Sequence, residues 1–335
     1  MTELDSVRLS CHAVENLICE IWSGYFGREV SPYDDFYDLG GDSLAMIDVV
    51  VAARGCGLPL RSSVALRNPS PARLAESLTV GAAATVELPA LYSDEPVAAV
   101  DPRIESVTDG VGEALYVVHS DSHVQAERDA IAAWEGERPV RAFRLLAGSV
   151  RQLAAQFMTA VRDEQPTGPY RVAGFGQGAV VAYEMAYRLR DVALLVLVQP
   201  PAVEPAAGPD FLLCQRLAVI AARFGLGGGE SVAQIHAEMR AGGWYDDTVR
   251  PADLPALQRA WAELEVAVRA YRFPDLDAPT LLFHDVMAAD SVTEQALRAA
   301  TKDMETHGLD YGLESPHAVI GDPMVARAMR KALAA

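Results

Sequence analysis

From residue 113 onward, short apolar segments alternate with amphipathic ones, and this alternation limits the possible folds more than any other feature of the chain. Each apolar segment has the length of a strand, and the segments between them have helical periodicity. Apolar strands that alternate with helices are typical of a parallel sheet covered by helices on both faces. The predicted strands are ALYVVH (114–119), PVRAFRL (139–145), YRVAGF (170–175), ALLVLVQ (193–199) and APTLLFH (278–284).

Between the last two predicted strands lies a long segment, 204–275, that is mostly helical in pattern and is broken by GLGGG at 225–229. We call this segment the lid. Ligands bind outside the carboxyl ends of the strands in open α/β sheets, and a helical insertion there would cover them. A last helix, PMVARAMRKALA at 323–334, closes the chain.

The first 80 residues have a different, all-helical pattern. Apolar residues at helical spacing predict one helix from residue 11, a second from Ser43 after a polar loop, and a short third over 71–79 that begins with proline. The following stretch is rich in alanine, proline and acidic residues and sustains no period, which is typical of a linker. The predicted domains are therefore 1–82 and 113–335, with a linker over 83–112.

Charge and composition exclude several classes of partner. The 335-residue chain has a formal net charge of −18, which disfavours nucleic acid and anionic membrane surfaces. Its four cysteines show no metal-type spacing, no signal peptide is recognisable, and no apolar run reaches the ~18 residues needed to span a bilayer. We expect reduced thiols, a cytoplasmic protein and, from the start MTELDS, a free-standing two-domain chain.

The stretch DDFYDLGGDSL at 34–44 places a serine at a predicted helix start, after two glycines and an aspartate. It resembles the attachment motif of peptidyl carrier proteins, the thiolation domains of nonribosomal peptide synthetases, and the resemblance covers about 12–80. It implies a four-helix carrier bundle in which Ser43 carries a 4′-phosphopantetheine arm, added from coenzyme A by a phosphopantetheinyl transferase. A phosphodiester there would lie at the positive end of the helix dipole.

The residues around this serine have expected roles of their own. Gly40 and Gly41 leave room for the transferase and the arm. Asp42 is either a recognition or cation contact during arm transfer or a simple helix N-cap, and the sequence leaves both open. Leu44 and Met46 are expected to form an exposed apolar patch that visiting enzymes contact, because methionine suits a surface with several partners.

The second motif, QPTGPYRVAGFGQGAVVAYEMAYRL, resembles the thioesterase domains that end such synthetases, and the resemblance covers about 113–335. It implies an α/β-hydrolase fold with a serine, an aspartate and a histidine as catalytic triad. The serine position is Gly176, the usual acid position is Gln199, and the histidine position is His317 in ESPHAVIGDPMV. Glycine relieves the backbone strain of this turn, about 1–3 kcal/mol for other residues, once no nucleophile is needed.

Other residues of the chain are candidates to replace the missing serine and aspartate. Asp285 and Asp290 follow the strand at 278–284 and are either a displaced acid or ordinary loop residues. Ser120 and Ser122 lie near the expected oxyanion loop and are more typical of polar loop residues than of nucleophiles. Cys214 in the lid is expected to be a small buried hydrophobe.

Two further groups of residues carry open interpretations. Trp244, Tyr245 and Trp261 in the lid either line an acyl pocket or pack lid helices together. His119 and His123 flank a loop, but no histidine spacing indicates a metal site.

Three functional hypotheses follow, and they leave open whether the second domain is an enzyme. In the first, Ser43 carries an aminoacyl or acyl thioester in natural product biosynthesis, and the thioesterase-like domain shelters it or recruits a tailoring oxygenase or halogenase. In the second, His317 acts as general base for hydrolysis or acyl transfer without an acyl-enzyme. In the third, Gly176 is an inactivating change in a release thioesterase. A phosphopantetheinyl transferase, an adenylating enzyme loading in trans and a downstream acceptor are the implied partners.

Overall fold

The computed structural model describes residues 11–56, 58, 60–79, 91, 104–119, 128–129, 131, 134, 138–145, 148–201, 208–224, 226, 230–242, 244–245, 249–285, 292–309 and 321–334. The chain divides into two compact units. The first comprises Met1–Val97, Pro205–Met239 and Arg250–Val266, and the second comprises Ala98–Glu204, Arg240–Val249 and Ala267–Ala335. We call the helical residues 11–79 the carrier segment. Much of the lid belongs to the same unit as this segment.

The described residues contain eleven α-helices and seven β-strands. The helices are α1 (Cys11–Phe26), α2 (Ser43–Gly55), α3 (Ser62–Ala65), α4 (Pro71–Thr79), α5 (Val150–Glu164), α6 (Gln177–Leu189), α7 (Pro209–Phe224), α8 (Val232–Ala241), α9 (Leu254–Arg269), α10 (Val292–Ala300) and α11 (Pro323–Ala334). The strands are β1 (Ile104–Thr108), β2 (Leu115–Val118), β3 (Val140–Phe143), β4 (Tyr170–Phe175), β5 (Val192–Val198), β6 (Thr280–Asp285) and β7 (Met304–Leu309). None of these helices is both long and apolar enough to cross a membrane.

The carrier segment has its own apolar core. Helix α1 buries one stripe at helical spacing, and Trp22 at the C-terminal end of this stripe is fully buried. The facing stripe of α2 recurs at intervals of three and four residues and consists of Met46, Val49, Val50 and Ala53. Burial of these two stripes against each other holds the start of α2, and with it Ser43, at a fixed place in the first unit.

The seven strands form one sheet in the order β1-β3-β2-β4-β5-β6-β7. All neighbouring pairs are parallel except β1 and β3, which are antiparallel. The five predicted strands are present as β2 to β6, and β4 and β5 are buried along nearly their whole length. The expected parallel α/β architecture is confirmed, and it places the ends of β4 and β5 side by side.

The predicted linker is wrong at its C-terminal end. Residues 104–108 form β1, an edge strand that pairs with β3 in the register Ile104↔Phe143. This strand was missed because its polar and charged residues, IESVT, show no apolar run. Each of its residues is half-buried or exposed, which is typical of an edge strand with one open side.

Candidate carrier and elbow sites

The first candidate site is the start of α2. The helix begins at Ser43, and the Asp42 carboxylate accepts a hydrogen bond from the amide of Ala45, 2.8 Å away. The Asp42 carbonyl also accepts from the amide of Met46 at 2.9 Å. Asp42 is therefore the N-cap of α2, as one of its two interpretations predicts, and it fixes the first turn whose amides favour an anion.

The loop before Ser43 is anchored in the carrier core by Phe36. The Phe36 ring packs edge-on against Trp22 with 4.8 Å between centroids, and the Phe36 carbonyl accepts from the amide of Gly41 at 2.9 Å. A Cβ on Gly41 would lie 2.2 Å from the Phe36 ring, so only glycine allows this approach. Gly40, with φ +95°, also takes a conformation that favours glycine.

The prediction that Met46 belongs to an exposed apolar patch is wrong. Its side chain is 1% exposed and belongs to the carrier core, because residues 46, 49, 50 and 53 share the face of α2 that packs on α1. Among the described side chains of α2, Val51 is a large apolar one that is exposed to solvent, at 61%. The side chain of Leu44 lies outside the described residues, so its expected role stays a prediction.

The second candidate site is the sharp turn between β4 and α6. Gly176 precedes α6 with φ +53° and ψ −126°, a conformation that side-chain-bearing residues adopt only with strain. Its amide donates to the carbonyl of Val198 on β5 at 2.9 Å. The turn that the sequence predicts is therefore present, and its central residue offers no side chain.

The two flanking glycines of GFGQG are required by close packing. A Cβ on Gly174 would lie 2.3 Å from the Gly178 carbonyl and 2.7 Å from the Cα of Ala179. A Cβ on Gly178 would lie 2.6 Å from the carbonyls of Val118 and His119 at the end of β2. Glycine at these positions seats the start of α6 directly against the sheet.

Gln199 lies directly after β5 and also has a positive φ, +45°. Its amide donates to the carbonyl of Phe283 on β6 at 2.8 Å. The structure therefore brings Gly176 and Gln199 to the ends of neighbouring strands, as the resemblance implies for a nucleophile and its acid. Gly176 has no side chain, and Gln199 carries an uncharged amide.

Five other residues that the sequence analysis considers lie outside the described residues. These are His317, Asp290, Ser120, Ser122 and His123. Asp285 ends β6, where its backbone pairs with Leu309, and its side chain is not described. The roles considered for these residues stay predictions.

The cysteine and the aromatic residues that the sequence analysis considers in the lid lie in packed surroundings. Cys214 is buried in the core of the carrier segment, which confirms a small buried hydrophobe, and all four cysteines are free thiols. Trp244 and Tyr245 are buried, and the guanidinium of Arg216 lies 4.3 Å from the ring centroid of Trp261. Among the described residues, no cluster of histidine, cysteine and acidic side chains could hold a metal ion.

A buried carboxylate, Glu184, was not predicted from the sequence. One of its oxygens accepts from Arg188 Nε at 2.6 Å, and the other accepts from the Tyr271 hydroxyl. Burial and the Glu184 carboxylate both raise the pKa of Tyr271. These three side chains, with Arg151 and Arg272, line a cavity of about 220 Å³ that contains none of the predicted site residues.

Together these features define the class of protein. The carrier resemblance implies a helix start at Ser43 after a glycine pair, and the structure has one. A strand, a glycine turn and a helix in a mostly parallel sheet are typical of α/β-hydrolase folds. Residues 16–78 match the family of phosphopantetheine attachment sites, and residues 125–199 match the thioesterase domain family. The chain therefore joins a phosphopantetheine-binding carrier domain, whose cofactor is covalent 4′-phosphopantetheine, to a thioesterase domain.

Curated relatives are synthetases of natural products. The chain is 31% identical over 195 residues to atromentin synthetase of Tapinella panuoides, which covers 53% of this chain and 19% of that protein. It is 27% identical over 203 residues to malpibaldin synthetase of Mortierella alpina, covering 59% of this chain and 4% of that one. The chain thus spans about a fifth or less of the length of these relatives.

A solved four-domain nonribosomal peptide synthetase, in its holo form with AMP and glycine, matches 99% of this chain and 27% of its own chain. The TM-score is 0.52 and the identity is 17%, so the likeness is one of fold.

Proposed function

We propose that the chain holds an aminoacyl or acyl group as a thioester on 4′-phosphopantetheine at Ser43, and that its thioesterase domain preserves this thioester. In this function the second unit shelters the arm or recruits a tailoring enzyme such as an oxygenase or halogenase. The arm would be installed by a phosphopantetheinyl transferase and loaded by an adenylating enzyme in trans.

The surroundings of Ser43 fit the phosphopantetheine group. The residues that precede Ser43 leave the approach to it open, because Asp42 and Gly40 are both exposed. The phosphodiester would lie at the amino end of a 13-residue helix, where backbone N–H groups and the helix dipole favour negative charge. The group itself supplies a thiol that forms the thioester.

One observation carries the proposal: Gly176 occupies the strained turn of the elbow and has no side chain. An acyl-enzyme needs a nucleophile there, and a nucleophile of this type needs a base oriented by an acid. The neighbouring strand ends in Gln199, whose amide side chain carries no charge to stabilise an imidazolium. The loss of two linked groups supports a domain that no longer transfers the acyl group to itself.

The attachment site is tested by incubating the full chain with coenzyme A and a broad-specificity phosphopantetheinyl transferase, and by reading intact mass. The wild type and the Ser62→Ala variant should gain one phosphopantetheine, whereas Ser43→Ala should gain none. Ser62 is the matched control because it also begins a helix of the carrier, α3. Modification of the Ser43→Ala variant would contradict the assignment.

The absence of an acyl-enzyme is tested separately in Ser43→Ala, which removes the carrier thioester from the measurement. This variant is incubated with aminoacyl-pantetheine thioesters, quenched in acid and analysed as peptides. No acyl adduct is expected on residues 98–204. An adduct on any residue there would show that another nucleophile replaces the one missing at Gly176.

A further inference from the structure

Among the described residues next to α7, none supplies a side-chain cap for its first turn through the position that precedes the helix. Gly208, which precedes the helix, has no side chain, and Pro209 has no N–H. The amides of Asp210 and Phe211 therefore need an acceptor from elsewhere. Glu20 of α1 supplies it: its Oε2 accepts from the Phe211 amide at 3.0 Å, and its carboxylate also accepts from the Asp210 amide.

The approach of Glu20 depends on glycine at position 208. A Cβ there would lie 2.2 Å from the Glu20 Cδ and 2.3 Å from its Oε1. Any larger residue would push the carboxylate away from the two amides. The Glu20 side chain of α1 and the start of α7 therefore fit closely against each other.

The same helix end is tied to α9. Arg259 donates to the Asp210 carboxylate and, at 3.0 Å, to Glu263 one turn along α9. Farther along α7, Arg216 Nε donates to the Gln258 side chain at 2.6 Å. The start of α7 thus joins α1 through Glu20 and α9 through Arg259.

Apolar packing continues this contact. Cys214 of α7 is 2% exposed and is part of the carrier core, and Phe211 packs against that core. The Cys214 thiol lies 3.9 Å from the Cys56 carbonyl, which follows the last residue of α2. Burial of an apolar face in a common core is the main source of association between helices.

The position of this contact separates it from the attachment serine. Ser43 begins α2, whereas Cys56 follows its other end, and a helix of 13 residues extends over roughly 18–20 Å. The hydrogen-bonded contact of α7 with α2 is therefore at the end opposite to Ser43.

We propose that α7 functions as an additional helix of the carrier, and that Glu20 caps it. The docked α7 occupies the face of the carrier that contains Glu20 and Cys56. The opposite end, with Ser43, stays open to enzymes acting in trans. A partner enzyme would then recognise the carrier together with α7. The lid helix would also be held by the carrier. The proposal concerns apo and holo chains alike and does not depend on the fate of the thioester.

The test follows the burial of Cys214 in the full chain. Native protein is pulsed with iodoacetamide, and the labelling of Cys214 is compared with that of exposed Cys11 by peptide mass spectrometry. In the wild type, Cys214 should react at least about tenfold more slowly than Cys11, because the carrier core covers Cys214 when α7 is docked. In Glu20→Ala, the labelling rate of Cys214 should rise several-fold while that of Cys11 stays constant.

A second variant controls for the possibility that Glu20→Ala misfolds the carrier. Gly208→Ala changes no carrier residue and should raise the labelling of Cys214 in the same way, while Glu29→Ala, an exposed carrier acid, should leave it unchanged. Modification of Ser43 by the transferase should continue in every variant. Fast labelling of Cys214 in the wild type, or unchanged labelling in both Glu20→Ala and Gly208→Ala, would overturn the proposal. Loss of thioester stability with slow Cys214 labelling would overturn the proposed function alone.

Discussion

Gly176 donates its amide to the carbonyl of Val198, so that it stands beside Gln199 at the ends of neighbouring parallel strands. Both residues have positive φ angles, +53° at Gly176 and +45° at Gln199. The sharp turn between β4 and α6 and the neighbouring strand end thus both take positive φ angles, and at the turn glycine adopts this conformation without a Cβ penalty. The turn is explained by the packing of α6 on the sheet, which the flanking glycines allow.

A side chain placed at Gly176 should lower the stability of the second unit without giving fast thioester hydrolysis. Gly176→Ser and Gly176→Ala each place a Cβ at a positive φ, and we expect each to lower the free energy of unfolding of the second unit by about 1–3 kcal/mol. Hydrogen exchange of the β4 and β5 amides measures this loss. The alanine variant controls for strain alone. Fast thioester hydrolysis by the serine variant, and by it alone, would show that only the nucleophile is missing.

The attachment loop should be sensitive to a single methyl group at Gly41. Gly41→Ala would force its Cβ against the Phe36 ring, which packs on Trp22, and overpacking of this kind costs about 1–3 kcal/mol. We expect a lower unfolding temperature and slower phosphopantetheinylation at Ser43. Gly55→Ala is the matched control, because open space surrounds its Cβ. Equal effects of the two variants would refute the role of the Phe36 contact.

The stability of the second unit should depend on the ion pair between Glu184 and Arg188. In Arg188→Gln the buried carboxylate keeps the Tyr271 hydroxyl but loses its cation, and leaving a buried charge without its ion pair costs about 3–5 kcal/mol. Chemical denaturation followed by circular dichroism should show this as a lower midpoint. Arg162→Gln, on the exposed last turn of α5, should change stability by less than about 0.5 kcal/mol. Two equal midpoints would mean that the pair contributes little.

The docking of α7 should weaken as the pH rises. Burial first, and then the charge of Asp210, raise the pKa of Glu20 from 4.5 to about 7, against the opposing effects of the Phe211 and Asp210 amides and Arg259. A raised pKa means that the docked state holds more protons than the undocked state. This contribution is complete below about pH 4.5 and is lost as the pH passes 7.

Hydrogen exchange of the α7 amides, corrected for intrinsic rates, should therefore show less protection at pH 8 than at pH 6. Glu20→Gln stays neutral and keeps an acceptor oxygen, so its protection should vary much less over this range. The same pH dependence in the glutamine variant would assign the effect to other groups, such as Asp210 on α7 and Glu263 on α9, which both pair with Arg259.

Much of the fold could be predicted because its central parts have strong local signals. Strand β4, the glycine turn and α6 form one continuous pattern, and β5 is apolar along its length. The edge strands β1 and β7 escaped prediction because edge strands carry polar residues on their open sides, as IESVT and METHGL do. Met46 was misplaced because an exposed and a buried methionine look alike until the facing helix is known.

The docking of α7 could not be predicted in the same way. Its central hydrogen bond joins Glu20 to Phe211, residues that are 191 positions apart. No local pattern marks Glu20 as a cap, since it lies within an ordinary helix. Only Gly208 and Pro209, which leave a helix start without an acceptor, hinted that a partner was needed.

The lifetime of the loaded thioester tests the account most directly. Holo chain carrying an aminoacyl group on Ser43 is followed by intact mass for several hours, beside the same aminoacyl-pantetheine thioester free in buffer and beside holo His317→Ala. We expect the wild-type and His317→Ala chains to lose the thioester at similar rates, and neither of them faster than the free thioester decays, because the second unit has no nucleophilic side chain at Gly176. Decay that is much faster on the wild-type chain, and that slows in His317→Ala, would contradict a preserving domain and establish a histidine-dependent transferase or hydrolase.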